Sequence, residues 1–244
     1  MPQNQFVGPV AEGYDFASPA MYEPALLDAT VEFLAAEARG GLALELGIGT
    51  GRVALPLSQR WVPVHGIDIS PDMIEQLHRK PGSEAITTTV GDFAETVLPG
   101  EFSLVYVVYN SISNLLEQSE WVQTFRNAAR HLSPGGRFVV ELWIPDLRRF
   151  PPGATALPFD VNPTHLGFDT IDTATQRGVS HHYFVAGGQV AQFESPYRYA
   201  WPAELDLMAQ IAGMTLHNRW ADWDRSSLTS ESTKHISVWE RPLN

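Results

Sequence analysis

The 244-residue chain contains no cysteine. That excludes disulfide bridges, thiolate metal sites and a cysteine nucleophile. Basic residues are scarce: 16 Lys and Arg stand against 28 Asp and Glu, for a formal net charge of -12. A chain so charged repels phosphate backbones unless it gathers a local basic stripe. The densest basic spots, Arg148-Arg149 and His78-Arg79-Lys80, form no such stripe, so DNA, RNA and acidic membrane surfaces are poor partners. No uncharged apolar run approaches the roughly 20 residues that span a bilayer. Residues 1–16 lack the basic stretch and following apolar run of a secretory signal. The expectation is a cytoplasmic protein. No metal is expected either, because no His, Asp and Glu grouping has ligand spacing such as a pair four apart on a helix.

What is present suits one large α/β domain: 44% hydrophobic and 18% charged residues over a length that fills a full core. Residues 1–18 read as an irregular arm, and a helix opens at Ser18-Pro19 and runs to about Arg39, with Leu27, Val31, Leu34 and Ala38 at helical spacing. Strands are expected at residues 42–46, 62–67, 85–90, 102–109 and 137–143, with helices after the first, second and fourth of them. Ser70 followed by Pro71 and Asp72 has the pattern of a helix start, and Ser119 is a second candidate cap. This alternation predicts a doubly wound parallel sheet. Residues 145–163 are Pro-rich and read as irregular. Residues 164–199 alternate like antiparallel strands, with turns at Gly178 and Gly187-Gly188. A last helix from Trp201-Pro202 to Ala212 and two strands at residues 214–220 and 234–241 close the chain. The organisation expected is a single domain over residues 1–244, with a β-rich insertion over residues 145–200.

The segment Glu45-Leu-Gly47-Ile-Gly49-Thr-Gly51 falls at the first strand-to-helix turn. Glycine permits positive φ and close approach of a ligand to the backbone, and amides at a helix start can hold a carboxylate or phosphate. Asp68 ends the second strand, 23 residues beyond Glu45, an offset that suits a bond to a ribose diol. Asp92, just past the third strand, can accept from an adenine amino group while Phe93 covers the ring. Charge then separates the cofactors. A dinucleotide turn, G-x-G-x-x-G, faces a pyrophosphate. Here the third glycine comes one residue early, and Glu45 would repel that group. An acid beside a cationic amine and a sulfonium is attracted instead. S-adenosylmethionine carries both cations, a ribose diol and an adenine amino group.

These residues, with Gly66-Ile-Asp-Ile-Ser-Pro71, Gly91-Asp92-Phe93, Tyr109-Asn-Ser-Ile-Ser113 and Leu132-Ser-Pro-Gly-Gly-Arg137, resemble the class I S-adenosylmethionine-dependent methyltransferases over residues 40–143. The resemblance implies a Rossmann-like sheet. It implies that Gly47, Gly49 and Gly51 pass close to the methionine part, that Asp68 binds the ribose hydroxyls, and that Asp92 and Phe93 contact adenine. Glu45, Arg52, Ile69 and Tyr109 complete the implied cofactor set. The layout is similar to small-molecule N-methyltransferases of antibiotic pathways, on Tyr14-Asp15 and Tyr22 before the first helix and on Ser195-Pro-Tyr-Arg-Tyr199 after a β-rich insertion. By that analogy residues 1–39 form a lid in which Tyr14 and Tyr22 touch the cofactor or the acceptor.

Methyl transfer is an in-line displacement at an already activated carbon, so positioning and water exclusion supply much of the acceleration. A neutral amine needs no strong base, whereas a hydroxyl acceptor benefits from one. Asn110, Asn114, Trp143 and His182 are the candidate acceptor-lining residues. His182 is also a candidate base with Tyr14 and Tyr22 as catalytic partners, although His181 and His182 must point to opposite faces of a strand. The aromatic-acidic run Trp220-Ala-Asp-Trp-Asp224 reads as a packed hairpin corner. The leading expectation is N-methylation of a small natural-product amine, leaving S-adenosylhomocysteine. O-methylation, a non-catalytic cofactor binder and an NAD-dependent dehydrogenase stay open at this point. The insertion could serve as a pocket wall or as the surface of a homo-oligomer.

Overall fold

The computed structural model describes residues 4–17 and 19–243. The N-terminal stretch is more regular than its composition suggests. It holds a helix, α1 (Pro9–Ala17), a 3-10 turn (Pro19–Tyr22) and then α2 (Pro24–Ala38). A single helix to residue 39 cannot form, because Pro24 pushes the preceding residue out of the α region, and Glu23 is extended at φ -54° and ψ 120°. The expected start at Ser18 lies outside the described residues.

From there strands and helices alternate, except that β3 runs on to β4 with no helix between: β1 (Ala43–Leu46), α3 (Ala54–Gln59), β2 (Val64–Asp68), α4 (Pro71–His78), β3 (Ile86–Val90), β4 (Phe102–Val107), α5 (Gln118–His131) and β5 (Leu132–Trp143). Helix α4 starts as its sequence indicates, with the Ser70 hydroxyl accepting from the Met73 amide and Pro71 in the first turn. Helix α5 begins earlier than Ser119 suggested. Glu117 caps it, and Glu120 closes a reciprocal capping box. The Ser133-to-Gly136 stop is absorbed as a register shift at the start of β5, where Phe102 pairs with Leu132 but Leu104 pairs with Arg137.

Four antiparallel strands follow: β6 (Ala156–Asn162), β7 (His165–Asp172), β8 (Arg177–Ala186) and β9 (Gln189–Arg198). Strand β6 occupies the region expected to be irregular. Its proline is tolerated because β6 is an edge strand and Pro158 sits at a register shift. Gly187 and Gly188 make the β8–β9 turn, with φ +57° and +77°. Gly178 makes no turn. It lies inside β8, where a Cβ would come 2.3 Å from the Tyr197 ring. The chain closes with α6 (Pro202–Ile211) and the antiparallel pair β10 (Thr215–Trp220) and β11 (Lys234–Glu240).

The large sheet has the order β10-β11-β5-β4-β1-β2-β3, parallel from β5 to β3. Both faces are covered, and β4 shows why its sequence is continuously apolar. Val105 and Val107 point into a core with Trp121, Phe125 and Trp239, while Leu104 and Tyr106 point into the opposite core with Phe33, Leu34 and Leu57. The chain leaves β1 toward β2 and β3, then returns to place β4 on the other side of β1. The carboxyl ends of β1 and β4 therefore flank a topological switch point, where such sheets bind ligands. Among the described residues no helix is long and apolar enough to cross a membrane.

Gly51 has φ +77°, and a Cβ there would lie 2.8 Å from the buried Leu77 side chain. Gly51→Ala should cost roughly 1–3 kcal/mol in urea unfolding through overpacking and backbone strain. Gly100→Ala isolates the strain, because Gly100 has φ +97° with nothing within 4 Å of its Cβ position. Equal losses in both variants would show that the Leu77 contact is not what demands glycine at residue 51.

Candidate functional site

A cleft opens at the carboxyl ends of β1 to β4, and each of these four strands contributes a wall. Gly47 and Gly49 follow β1, Asp68 and Ile69 close β2, Asp92 and Phe93 follow β3, and Tyr109, Ser111 and Asn114 follow β4. A second lobe shares Tyr14, Gly47, Gly49, Tyr109 and Ser111 and adds Glu45, Thr50 and Arg52.

Asp68 is buried, and its two oxygens are already engaged with backbone. Oδ2 accepts from the Gly49 amide at 2.7 Å and Oδ1 from the Ser70 amide at 2.8 Å. Burial raises its pKa, and those amides oppose the shift. Each oxygen retains lone-pair capacity for a further donor from the cleft. Glu45 is buried more deeply. Burial pushes its pKa up to about 8, against the Tyr106 hydroxyl that donates to Oε2 at 2.9 Å and the nearby positive Arg52. A carboxyl so placed gains its charge cheaply only when a cation arrives. Asp92 Oδ1 caps the following turn by accepting from the Ala94 amide, and Asn127 fixes that turn by donating to the carbonyls of Phe93 and Thr96.

The arm closes over these groups. Phe6 and Tyr14 line the cleft and meet edge to face at 5.8 Å. Burial raises the Tyr14 pKa to about 12, so it stays a hydroxyl. The arm is held by Asp15, which accepts from the Tyr22 hydroxyl and from Thr50 Oγ1 at 2.6 Å and pairs with Lys80 Nζ at 2.5 Å. Burial opposes the Asp15 charge, but these three partners outweigh it and lower the pKa. A second tether joins the Gly8 amide to Asp72 at 2.6 Å, and Ser70 donates to the Phe6 carbonyl.

On the opposite wall, Tyr109 and Asn110 both occupy the left-handed region, at φ +52° and +59°. Such a pair of non-glycine residues costs roughly 1–2 kcal/mol each. Glu141, 8% exposed, braces it by accepting from the Tyr109 amide at 2.9 Å and from Trp223 Nε1 at 3.1 Å, with Lys234 at 3.5 Å. Asn110 Oδ1 accepts from the Trp143 amide at 2.8 Å. The Tyr109 ring faces Arg52, whose guanidinium lies 5.2 Å from its centroid.

The residues expected to hold a cofactor thus converge, with exceptions. Gly51 lines neither lobe, because its missing side chain makes room for Leu77. Tyr22 lines neither lobe either, since its hydroxyl is spent on Asp15. Of the acceptor candidates only Asn114 lines the cleft. Asn110 and Trp143 bond to each other beside it. His182 is displaced from the cleft: β8 carries it into a ring cluster, stacked 5.2 Å from His165 and facing Phe159 and Phe193. Burial and His165 lower its pKa. His181 does point to the other face, against Phe168. Trp223 is 3% exposed and packs on Phe33, as a hairpin corner should. Thr50, Lys80 and Glu141 escaped the sequence reading. Lys80 reaches Asp15 across 65 positions and Glu141 reaches Tyr109 across 32, so no local spacing announces either. Among the described residues no group of three or more His, Asp or Glu is placed to hold a metal ion.

Comparison with known proteins places this geometry. Residues 43–136 match a methyltransferase domain family. The structure of the CcbJ methyltransferase from Streptomyces caelestis superposes with a TM-score of 0.81, at 35% identity over 90% of each chain. The cypemycin N-terminal methyltransferase of a Streptomyces species is 26% identical over 205 residues, 83% of this chain and 84% of that one. The fold also matches S-adenosylmethionine-bound CalS10, an amino pentose methyltransferase from Micromonospora echinaspora, with a TM-score of 0.68 at 19% identity over 98% of this chain and 99% of that one. A glycine turn flanked by successive strand-end acids, in a chain this similar to a methyltransferase along nearly its whole length, is the mark of a methyl-donor site, and the chain belongs to the S-adenosylmethionine-dependent methyltransferases.

Proposed function

We propose that this enzyme methylates an amine nitrogen of a small natural product, in the cytoplasm. The observation that carries the choice of nitrogen is the chemistry of the cleft walls. None of the described residues lining either lobe is histidine or lysine, the carboxylates there (Glu45, Asp68 and Asp92) are taken up by the methyl donor in this reading, and Tyr14 is held protonated. A hydroxyl acceptor would call for a base there, and a neutral amine does not. The names of the relatives point the same way, since one acts on a peptide N-terminus and another on an amino pentose. The net charge of -12 argues against nucleic acid as acceptor. Exposed Val161, Phe184 and Val190 on the small sheet support a homo-oligomer.

S-adenosylmethionine supplies a methyl group activated by its sulfonium, and the donor set fits it. Asp68 would accept from the ribose hydroxyls, Ile69 and Phe93 would cover adenine, and Asp92 would accept from its amino group. Glu45 would face the methionine ammonium, and Arg52 with the Gly47 and Gly49 backbone would receive its carboxylate. Residues 1–39 would serve as the lid: Phe6 and Tyr14 exclude water, and the Asp15–Lys80 pair keeps them in place. Tyr14 would orient through its hydroxyl rather than remove a proton.

Incubation with tritiated methyl donor and paired panels of amines and matching alcohols or phenols tests the reading. Transfer to amines is expected, and transfer confined to hydroxyls would overturn it. Asp68→Ala should weaken S-adenosylhomocysteine binding by roughly 1–3 kcal/mol by calorimetry; unchanged affinity in a folded variant would remove Asp68 from the ribose role. Glu45 adds a pH dependence. With its free pKa near 8, the empty site is protonated below that value, and a bound ammonium favours the ionised form. Product affinity should therefore rise toward tenfold per pH unit between pH 6 and 8, and proton release should show in buffers of different ionisation enthalpy. Glu45→Gln should flatten the profile. An equally steep profile in that variant would assign the proton elsewhere.

A further inference from the structure

We propose that the small sheet carries the acceptor-recognition site, in which the Asp169 carboxylate and the Tyr197 hydroxyl first take the acceptor amine as its ammonium, which becomes the neutral nucleophile once its proton has passed to water. This rests on the methyltransferase reading and names the group that selects the substrate.

Strand register puts the relevant residues on one face. Asp169 pairs with Ser180, Ser180 with Ser195, and Gly178 with Tyr197, two positions farther along the same pleat. That face meets the donor cleft. Strand β9 packs against the 3-10 turn Ser111–Asn114, whose Ser111 and Asn114 line the cleft. The Tyr197 ring lies over Gly178 and meets the Trp143 ring edge to face at 5.4 Å, and the Trp143 amide is fixed to Asn110. Gly178 is therefore needed for the tilt of Tyr197, not for a turn.

Two polar groups on this face lack the partners that folding normally supplies. The Tyr197 oxygen is shielded from solvent and has no hydrogen-bond partner. Buried hydroxyls are rarely left so unless something else completes them. Asp169 accepts from the Ser180 hydroxyl at 2.6 Å on Oδ1, and no lysine or arginine among the described residues pairs with it. The charged or titratable groups around it are His181, His182 and Tyr197. Burial raises the Asp169 pKa more than Ser180 and the two histidines lower it. A half-buried carboxylate of this kind is satisfied by an incoming ammonium, which a neutral sugar or phenol cannot offer. The hydroxyl beside it and the aromatic edge of Trp143 suit a polar, compact acceptor.

The test uses the protein saturated with S-adenosylhomocysteine and two matched probes, D-glucosamine and its uncharged counterpart D-glucose, titrated by NMR. Glucosamine should bind at least tenfold more tightly than glucose. Asp169→Asn should erase that preference, and Tyr197→Phe should weaken glucosamine several-fold, with product affinity unchanged in both. Equal affinity for the two sugars in the wild-type protein overturns the proposal, and so does an undiminished preference in folded Asp169→Asn. The wild-type comparison stands even where a variant fails to fold. Because no methyl transfer is read, the outcome is independent of the acceptor atom. An enzyme that prefers glucosamine yet methylates only hydroxyls would defeat the nitrogen assignment and leave the recognition site intact.

Discussion

The Asp68 carboxylate holds the donor site together before any ligand arrives. One oxygen fastens the glycine turn after β1 through Gly49, and the other fastens the start of α4 through Ser70. Ser70 in turn caps α4 and donates to Phe6 in the arm. A single buried charge thus sets the spacing between two strand ends, a helix terminus and the segment that covers them. Its cost is the desolvation of a carboxylate with no cation beside it, met by charge-assisted bonds to backbone amides. Glu45 takes the opposite course and sheds its charge by holding a proton. The site therefore stores two kinds of negative potential: one permanent and organised, the other released on demand by a positive ligand.

The β4 wall is organised by strain. Consecutive left-handed residues at Tyr109 and Asn110 are sustained because Glu141 and the Trp143 backbone hold both ends of the kink. Glu141 belongs to β5 and is anchored by Trp223, from the corner after β10. The last part of the chain thereby fixes the shape of a turn read early in it. Over-determined backbone of this kind is common where a ligand must be met by a side chain at an unusual angle.

Much of this was legible. The β-α alternation, the two-sided burial of β4, the Ser70 cap and the three strand-end acids follow from periodicity and turn chemistry, which are local. The hidden parts depend on distance or on partners. Helix α1 contains Gly13 and follows Gly8, so its composition resembles a loop, and its stability comes from docking on α4. Strand β6 was concealed by Pro158, acceptable only at the edge of a sheet whose order the sequence does not state. Gly178 looked like a turn because glycine is usually read through its backbone, whereas here it serves a neighbour's ring. His182 was placed correctly on a strand and shares the face of Ser180 and Tyr197, but it lies farther along β8, inside an aromatic cluster, and alternation alone does not tell which end of that face meets the cleft. The Asp15–Thr50–Lys80 cluster joins three separate elements, and one chain without spatial information cannot reveal it.

The strand order has a consequence for biosynthesis. Strand β11 is the last to be made, yet it sits inside the large sheet, between β5 and β10. While residues 234–240 are still within the ribosome, the nascent chain can complete β1 through β5, but one edge of β5, carrying Val139 and Val140, has no neighbour. An apolar, unpaired edge on an otherwise formed sheet is the kind of surface that recruits other chains. The interval between the emergence of β5 and that of β11 is when this edge stands open to pairing with another chain.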